Sequence, residues 1–405
     1  MEARIEPIPA GTVTSPHGFR AGATYAGIKK RAEDTLDLGI LCSEAPCSAA
    51  ALFTATKIKA APVILSQKRL RSGKATAVVV NSGCANASTG QPGLDDATEM
   101  TALVAKMVDT PANRVLVAST GVIGHYLPME RVRASLKQIA LNTDGGHNLA
   151  RAIMTTDTMA KEIAVAVSVG ADSFTIGGVA KGSGMIHPNL ATLLCFLTTD
   201  AAVDSHFLKL ALKKAVDISF NMISIDGDTS PNDMVLIMAN GMAGNKPITA
   251  DSKEAFIFQQ ALDQVCTKLA KATARDGEGA TKLIAVTVGG AATTSQARQA
   301  ARTIVSSPLV KAAIHGNDPN WGRIIAAAGR SGVKLVETKL ELYLGNVCVI
   351  KAGCPLPFQQ AEAVKILDSD EVPINLQLNL GAATATAWGC DLSQEYVTIN
   401  SQYST

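Results

Sequence analysis

The sequence predicts an α+β fold, on three observations. Val/Ile-rich runs of strand length recur along the chain, many of them ending in glycine. Other runs alternate apolar and polar residues. Amphipathic helices fall between them, without the strict strand–helix alternation of a doubly wound parallel sheet.

The apolar runs are residues 76–80 (TAVVV), 114–118 (RVLVA), 163–169 (IAVAVSV) and 283–288 (LIAVTV). Near-continuous Val and Ile need a strand covered on both faces. Ile374, Leu376, Leu378 and Leu380 share one face of a strand, with Asn375, Gln377 and Asn379 on the other, as a half-buried strand requires. Residues 339–344 also alternate, and Gly345-Asn346 then turns the chain into a second strand at 347–350, a hairpin signature. A helix is expected over 207–216. A second is expected after the capping pair Asp251 and Glu254, where Phe258, Leu262, Val265 and Leu269 recur at helical spacing.

Bulk properties exclude several function classes. The 405 residues carry 37 basic and 35 acidic side chains, a net charge of +2, and no run of five like charges. Nothing therefore marks a nucleic-acid or anionic-membrane partner. The basic group Lys68, Arg69, Arg71 and Lys74 suits a helix C-terminus. Aromatic residues are only 4% of the chain, leaving little surface for stacking on bases. The eight cysteines are scattered without a CxxC and several lie in apolar runs, so buried free thiols in a reducing compartment are expected. The six histidines are isolated, which argues against a metal site. The first residues show no secretory pattern, and no apolar stretch reaches the ~18 residues of a membrane span. A cytoplasmic protein is the expectation.

The unusual segment is residues 181–200, KGSGMIHPNLATLLCFLTTD. Its first half holds glycines, a proline and an asparagine, and must be an irregular loop. It changes abruptly at Thr192 into an apolar strand, 193–197. A hydroxyl at the mouth of a buried strand suits a nucleophile, and such a threonine is also ordinary; residue type leaves both readings open.

The wording of this segment, KGSGMIHPNLATLL, resembles the self-cleavage motif of the ornithine acetyltransferase (glutamate N-acetyltransferase) family. The resemblance extends through AVVVNSGCANASTG (77–90), ASTGVIG (118–124), AIMTTDT (152–158), DGDTSPNDMV (226–235), ARDGEGATK (274–282), GNDPNWGR (316–323) and the terminal YVTINSQYST (396–405), in family order. It implies a layered α+β sandwich with a smaller C-terminal domain. It also implies a precursor cut between Ala191 and Thr192 into intertwined fragments 1–191 and 192–405. Thr192 would then be both self-cleaving residue and acetyl carrier.

The implied chemistry is consistent with elementary reactivity. Cleavage frees the α-amine of Thr192, and an α-amino group titrates near 7.7–8.0 in peptides, balanced to act as a general base at neutral pH. No histidine or metal is then required. The resemblance assigns the oxyanion pocket to the Thr120 side chain and the Gly121 backbone N–H, and substrate contacts to Thr155, Lys181, Thr192, Glu278, Asn400 and Thr405. Lys181 suits a carboxylate and Glu278 the ammonium of ornithine. Two of each fragment would make a heterotetramer. No cofactor is implied; acetyl-CoA as an additional acetyl donor stays open, since no motif diagnoses CoA binding. GNDPNWGR is taken as structural or interfacial, and DGDTSPND as a turn network without cation-loop spacing. Two other classes remain: a self-processed amidohydrolase or aminopeptidase, with water as acceptor, and an uncut oligomeric scaffold.

Overall fold

The computed structural model describes residues 3–30, 35–170, 172–187 and 193–402. Its architecture is two mixed sheets with helices packed on them. The larger sheet has nine strands. Eight run in the spatial order Ala3–Pro7, Lys161–Val169, Asp172–Lys181, Leu194–Thr199, Met234–Ala239, Leu38–Phe53, Lys74–Cys84 and Val115–Val122, and Phe19–Thr24 pairs with the long strand Leu38–Phe53. The strands Leu194–Thr199 and Met234–Ala239 are parallel to each other and lie between strands that all precede residue 191. Chain from either side of Ala191 is thus interleaved in one sheet.

The apolar runs at 76–80 and 283–288 and the strand Leu194–Thr199 have the cause expected for them, whereas 163–169 does not: Ser168 is exposed and Ala166 half-buried, so one face of that strand is only partly covered. In Leu194–Thr199, Cys195 and Leu197 face the helices Ser205–Ile218 and Ala255–Arg275, packing with Phe207, Leu208, Phe258, Leu262 and Val265. Leu194 and Phe196 face the other way, among Phe19, Leu41, Leu149 and Leu236. Both faces are covered, so alternation disappears. Asp204 caps the helix Ser205–Ile218 by accepting from the N–H groups of His206 and Phe207. The expected cap at Asp251/Glu254 is different: the helix starts at Ala255 with Glu254 at the N-cap, and no side chain bonds that end.

The smaller sheet lies in the C-terminal half, in the order Cys354–Pro355, Val347–Lys351, Glu341–Leu344, Glu371–Gln377, Leu283–Ala291, Ala383–Cys390, Ile223–Ser224. It includes the expected hairpin. In Glu371–Gln377, Val372, Ile374 and Leu376 are buried; the strand ends there, and Leu378 continues outside it although still buried. The eight cysteines are free, and six are buried; Cys348 is half-buried and Cys354 exposed. Lys68 and Arg69 occupy the last turn of the helix Ala61–Arg69. Among the described residues no helix is long and apolar enough to cross a membrane.

Candidate active site

The site begins where two parallel strands end together. Val115–Val122 runs beside Lys74–Cys84, and at their ends the register slips, so that Cys84 faces both Thr120 and Val122. Gly121 adopts φ +126°, and a Cβ there would stand 2.3 Å from the carbonyl carbon of Gly83. Both the torsion and the close approach demand glycine. Thr120-Gly121 is therefore a distorted strand end, not a turn beyond one. Ser119 Oγ donates to Asn81 Oδ1 (2.6 Å), and Asn81 Nδ2 to the carbonyl of Cys84 (2.8 Å). Asn232 Nδ2 binds the carbonyls of Ser119 (2.8 Å) and Ala85 (2.6 Å). These bonds leave Thr120 little freedom.

Lys181 closes the strand Asp172–Lys181 and is buried. Its Nζ donates to Thr155 Oγ1 at 2.7 Å and Thr120 Oγ1 at 3.4 Å. Burial pushes its pKa down, and Asp157, 3.9 Å away, opposes that. Asp157 is held by a second cation: Lys161 Nζ bridges Asp157 Oδ1 (2.6 Å) and Asp276 Oδ2 (2.5 Å), all without meaningful exposure. Burial alone would raise the Asp157 pKa, but Lys181, Lys161 and the backbone N–H of Thr155 outweigh it and hold the carboxyl below the usual range. Asp276 in turn accepts from the N–H and hydroxyl of Thr158.

Carboxylates line the same site. Glu278 is 8% exposed, its N–H bonds the carbonyl of Ser183 (2.8 Å), and its Oε2 accepts from Asn400 Nδ2 (2.8 Å). Gly184 leaves room for this carboxylate, since a Cβ there would lie 2.6 Å from it. Asn400 belongs to the helix Gln394–Gln402, which Ser393 anchors through its bond to the carbonyl of Gly279 (2.6 Å). Asp226 accepts from the N–H groups of Met185 (2.5 Å) and Ile186 (2.9 Å) and so fixes the loop that leads to His187. Burial raises the pKa of Asp226, and burial followed by Asp226 raises that of Tyr396.

One cleft of ≈ 810 Å³ is lined by Thr120, Gly121, Thr155, Lys181, Glu278 and Asn400. Six residues singled out from sequence thus meet, among them one cation, Lys181, and one carboxylate, Glu278. Thr192, Ala191 and Thr405 lie outside the described residues. Asp226, Asp228, Asn232 and Tyr396 also line the cleft. The reading of DGDTSPND as a turn network alone is thereby too narrow: Asp226 does hold a turn, and the same stretch walls the site. Its density of carboxylates and amides was the available signal. Asn232 Oδ1 and Asp233 Oδ2 are buried with no hydrogen-bond partner among the described residues. Burial drives the Asp233 pKa well above normal, against the pull of Lys181.

A profile of the ArgJ family matches residues 20–405. The chain belongs to the ArgJ family. It is 52% identical over 405 residues to the arginine biosynthesis bifunctional protein ArgJ of Dehalococcoides mccartyi (strain CBDB1), covering 100% of both chains. To the protein of the same name from Symbiobacterium thermophilum it is 50% identical over 398 residues, covering 98% of this chain and 99% of that one. A crystal structure of the arginine biosynthesis bifunctional protein argJ from Bacillus halodurans superposes with a TM-score of 0.50 at 45% identity; it covers 51% of this chain and 97% of its own. This ArgJ-family chain is accordingly an acyltransferase of arginine biosynthesis with the α+β layered architecture of its family.

Proposed function

We propose that the chain cuts itself between Ala191 and Thr192 and then carries acetyl from N-acetylornithine to glutamate on the Thr192 hydroxyl. One observation carries the reading: a single cleft unites the two proposed oxyanion donors, a cation for the α-carboxylate and a carboxylate for the ornithine ammonium, drawn from distant parts of the chain. Leu193, the covalent neighbour of Thr192, is buried, and its carbonyl accepts from the N–H of Met234, next to Asn232 and Asp233. The Bacillus halodurans chain, matched over 97% of its length yet spanning 51% of this one, has the size of one of two fragments.

In the precursor the Thr192 hydroxyl attacks the Ala191 carbonyl and the C–N bond breaks, leaving an ester and a free α-amine. Water hydrolyses the ester. That amine then takes the hydroxyl proton as Thr192 attacks the acetamide of N-acetylornithine. The Thr120 hydroxyl and the Gly121 N–H receive the developing oxyanion, and one such donor is typically worth ~3 kcal/mol. Protonated ornithine leaves, the glutamate amine attacks acetyl-Thr192, and N-acetylglutamate departs. Lys181 serves the α-carboxylate of both substrates, and Thr155, Glu278, Asn400 and Thr405 complete their binding. Acetyl-CoA as a second donor, two copies of each fragment in the assembly, and a cytoplasmic location belong to the same proposal; the name bifunctional of the relatives supports the first.

A denaturing gel tests it. Wild type should give two fragments near half-length, and Thr192→Ala one band without transfer of acetyl from N-acetylornithine. Two bands from Thr192→Ala would assign self-cleavage to another residue. Consumption of N-acetylornithine without glutamate would make the chain a hydrolase.

A further inference from the structure

A second cleft, of ≈ 1140 Å³, opens beside the processing loop and is lined by His187, Ser295, Arg298, Arg302, Ser306 and Arg330 among others. No carboxylate lines it among the described residues. Arg298 and Arg302 stand one turn apart on the helix Thr294–Val305, where like charges destabilise a helix. Ser295 and Ser306 follow the same face, and Arg330 joins from the end of the helix Trp321–Gly329, its Nη2 donating to the carbonyl of Thr303 (3.4 Å). The Ser306 hydroxyl donates to the carbonyl of Thr303 (3.3 Å), so three guanidiniums and the Ser295 hydroxyl are the donors this cleft offers an oxyanion.

His187 connects this cleft to the chemistry. The loop before it is held by Asp226 and by the bond from the N–H of Ile225 to the carbonyl of Ile186 (2.8 Å), and His187 Nδ1 lies 3.1 Å from Ser224 Oγ. Burial, and then Arg302, push the His187 pKa down, with Asp228 opposing them. Ala191 follows four residues later in the chain, within a reach of about 14 Å for extended backbone.

We propose that the arginine cleft receives the carboxylate that self-cleavage creates at Ala191. The inference rests on cleavage at Ala191–Thr192. Ester hydrolysis places hydroxide on the Ala191 carbonyl and returns the proton to the Thr192 oxygen; the new acid ionises to water. Before the cut this carbonyl is uncharged, and afterwards it is an anion four residues along the chain from His187, which lines the arginine cleft. Docking there withdraws the severed end from Thr192, frees the hydroxyl for substrate, and prevents the acid from re-forming the bond.

The test is carboxypeptidase digestion of the cut enzyme, followed by intact mass. Wild type should keep Asn189, Leu190 and Ala191, whereas Arg302→Gln and the double variant Arg298→Gln/Arg330→Gln should lose them about tenfold faster, because trimming follows the released population. The double variant leaves the half-buried Arg302 in place and covers the case in which Arg302→Gln fails to fold. Equal trimming of all cut proteins overturns the docking. A phosphate-dependent rise in the melting temperature of cut wild type, absent from the double variant, would then assign the cleft to a soluble anion. A single gel band from wild type overturns cleavage itself, and the docking with it; two bands with equal trimming overturn the docking alone.

Discussion

Asp157→Asn should damage stability and substrate binding together, because one buried carboxylate serves two lysines. Asp157 touches Lys161 at 2.6 Å, stands 3.9 Å from Lys181, and accepts from the N–H groups of Thr155 (2.9 Å) and Gly182 (2.7 Å). An amide has the same shape but only one accepting oxygen, and it leaves Lys181 without its nearest counter-charge. Breaking one partner of such a buried pair costs ~3–5 kcal/mol. With an unfolding entropy of ~2.1 cal/mol/K per residue, 405 residues give ~0.85 kcal/mol/K, so the melting temperature should fall by about 4–6 °C. The Asp157 pKa is depressed in the folded protein. Its stabilisation is therefore present above the unfolded value near ~3.9 and is lost as pH falls through the lower folded value. The gap between wild type and variant should stay constant from neutral pH down to about 5 and close only in strong acid. Lys181, already lowered by burial, should lose its proton at still lower pH. The alkaline limb of kcat/KM should accordingly move down in pH. Calorimetry and a pH–rate profile measure both effects. A melting temperature within about 1 °C of wild type, or an unmoved alkaline limb, would refute the shared-counter-ion argument.

Two further substitutions probe the two walls of the cleft. Gly121→Ala must force a Cβ against Gly83 at φ +126°, which should cost ~1–3 kcal/mol of stability and lower kcat by roughly a hundredfold; a variant with wild-type kcat would remove Gly121 from the oxyanion pocket. Glu278→Gln should slow ornithine release from N-acetylornithine by about tenfold or more and the discharge of acetyl-Thr192 to glutamate by less, since only the first substrate brings a side-chain ammonium. Single-turnover mass analysis separates the halves, and equal damage to both would end the charge-specific role of Glu278.

Much of this molecule was legible in the chain. Both-face burial of residues 76–80 and 283–288, the hairpin across Gly345-Asn346 and the helix over 207–216 follow from local periodicity, and the structure contains them; the run 163–169 is a strand but leaves Ser168 exposed. The residues of the cleft were identified by wording, block by block, and six of them do meet. What the chain could not reveal is which groups hold those residues in place. Asp157, Lys161 and Asp276 are separated by as many as 119 positions, and each read singly is an ordinary surface charge. Only packing removes water from around them, and only then does charge pairing at 2.5–2.6 Å become obligatory. The arginine cleft shows the same limit, because Arg330 meets Arg298 and Arg302 through the packing of two helices rather than through any pattern in sequence. Local periodicity determines which face of an element is buried; tertiary contact decides which buried charges must answer one another, because desolvation acts on neighbours in space and not along the chain.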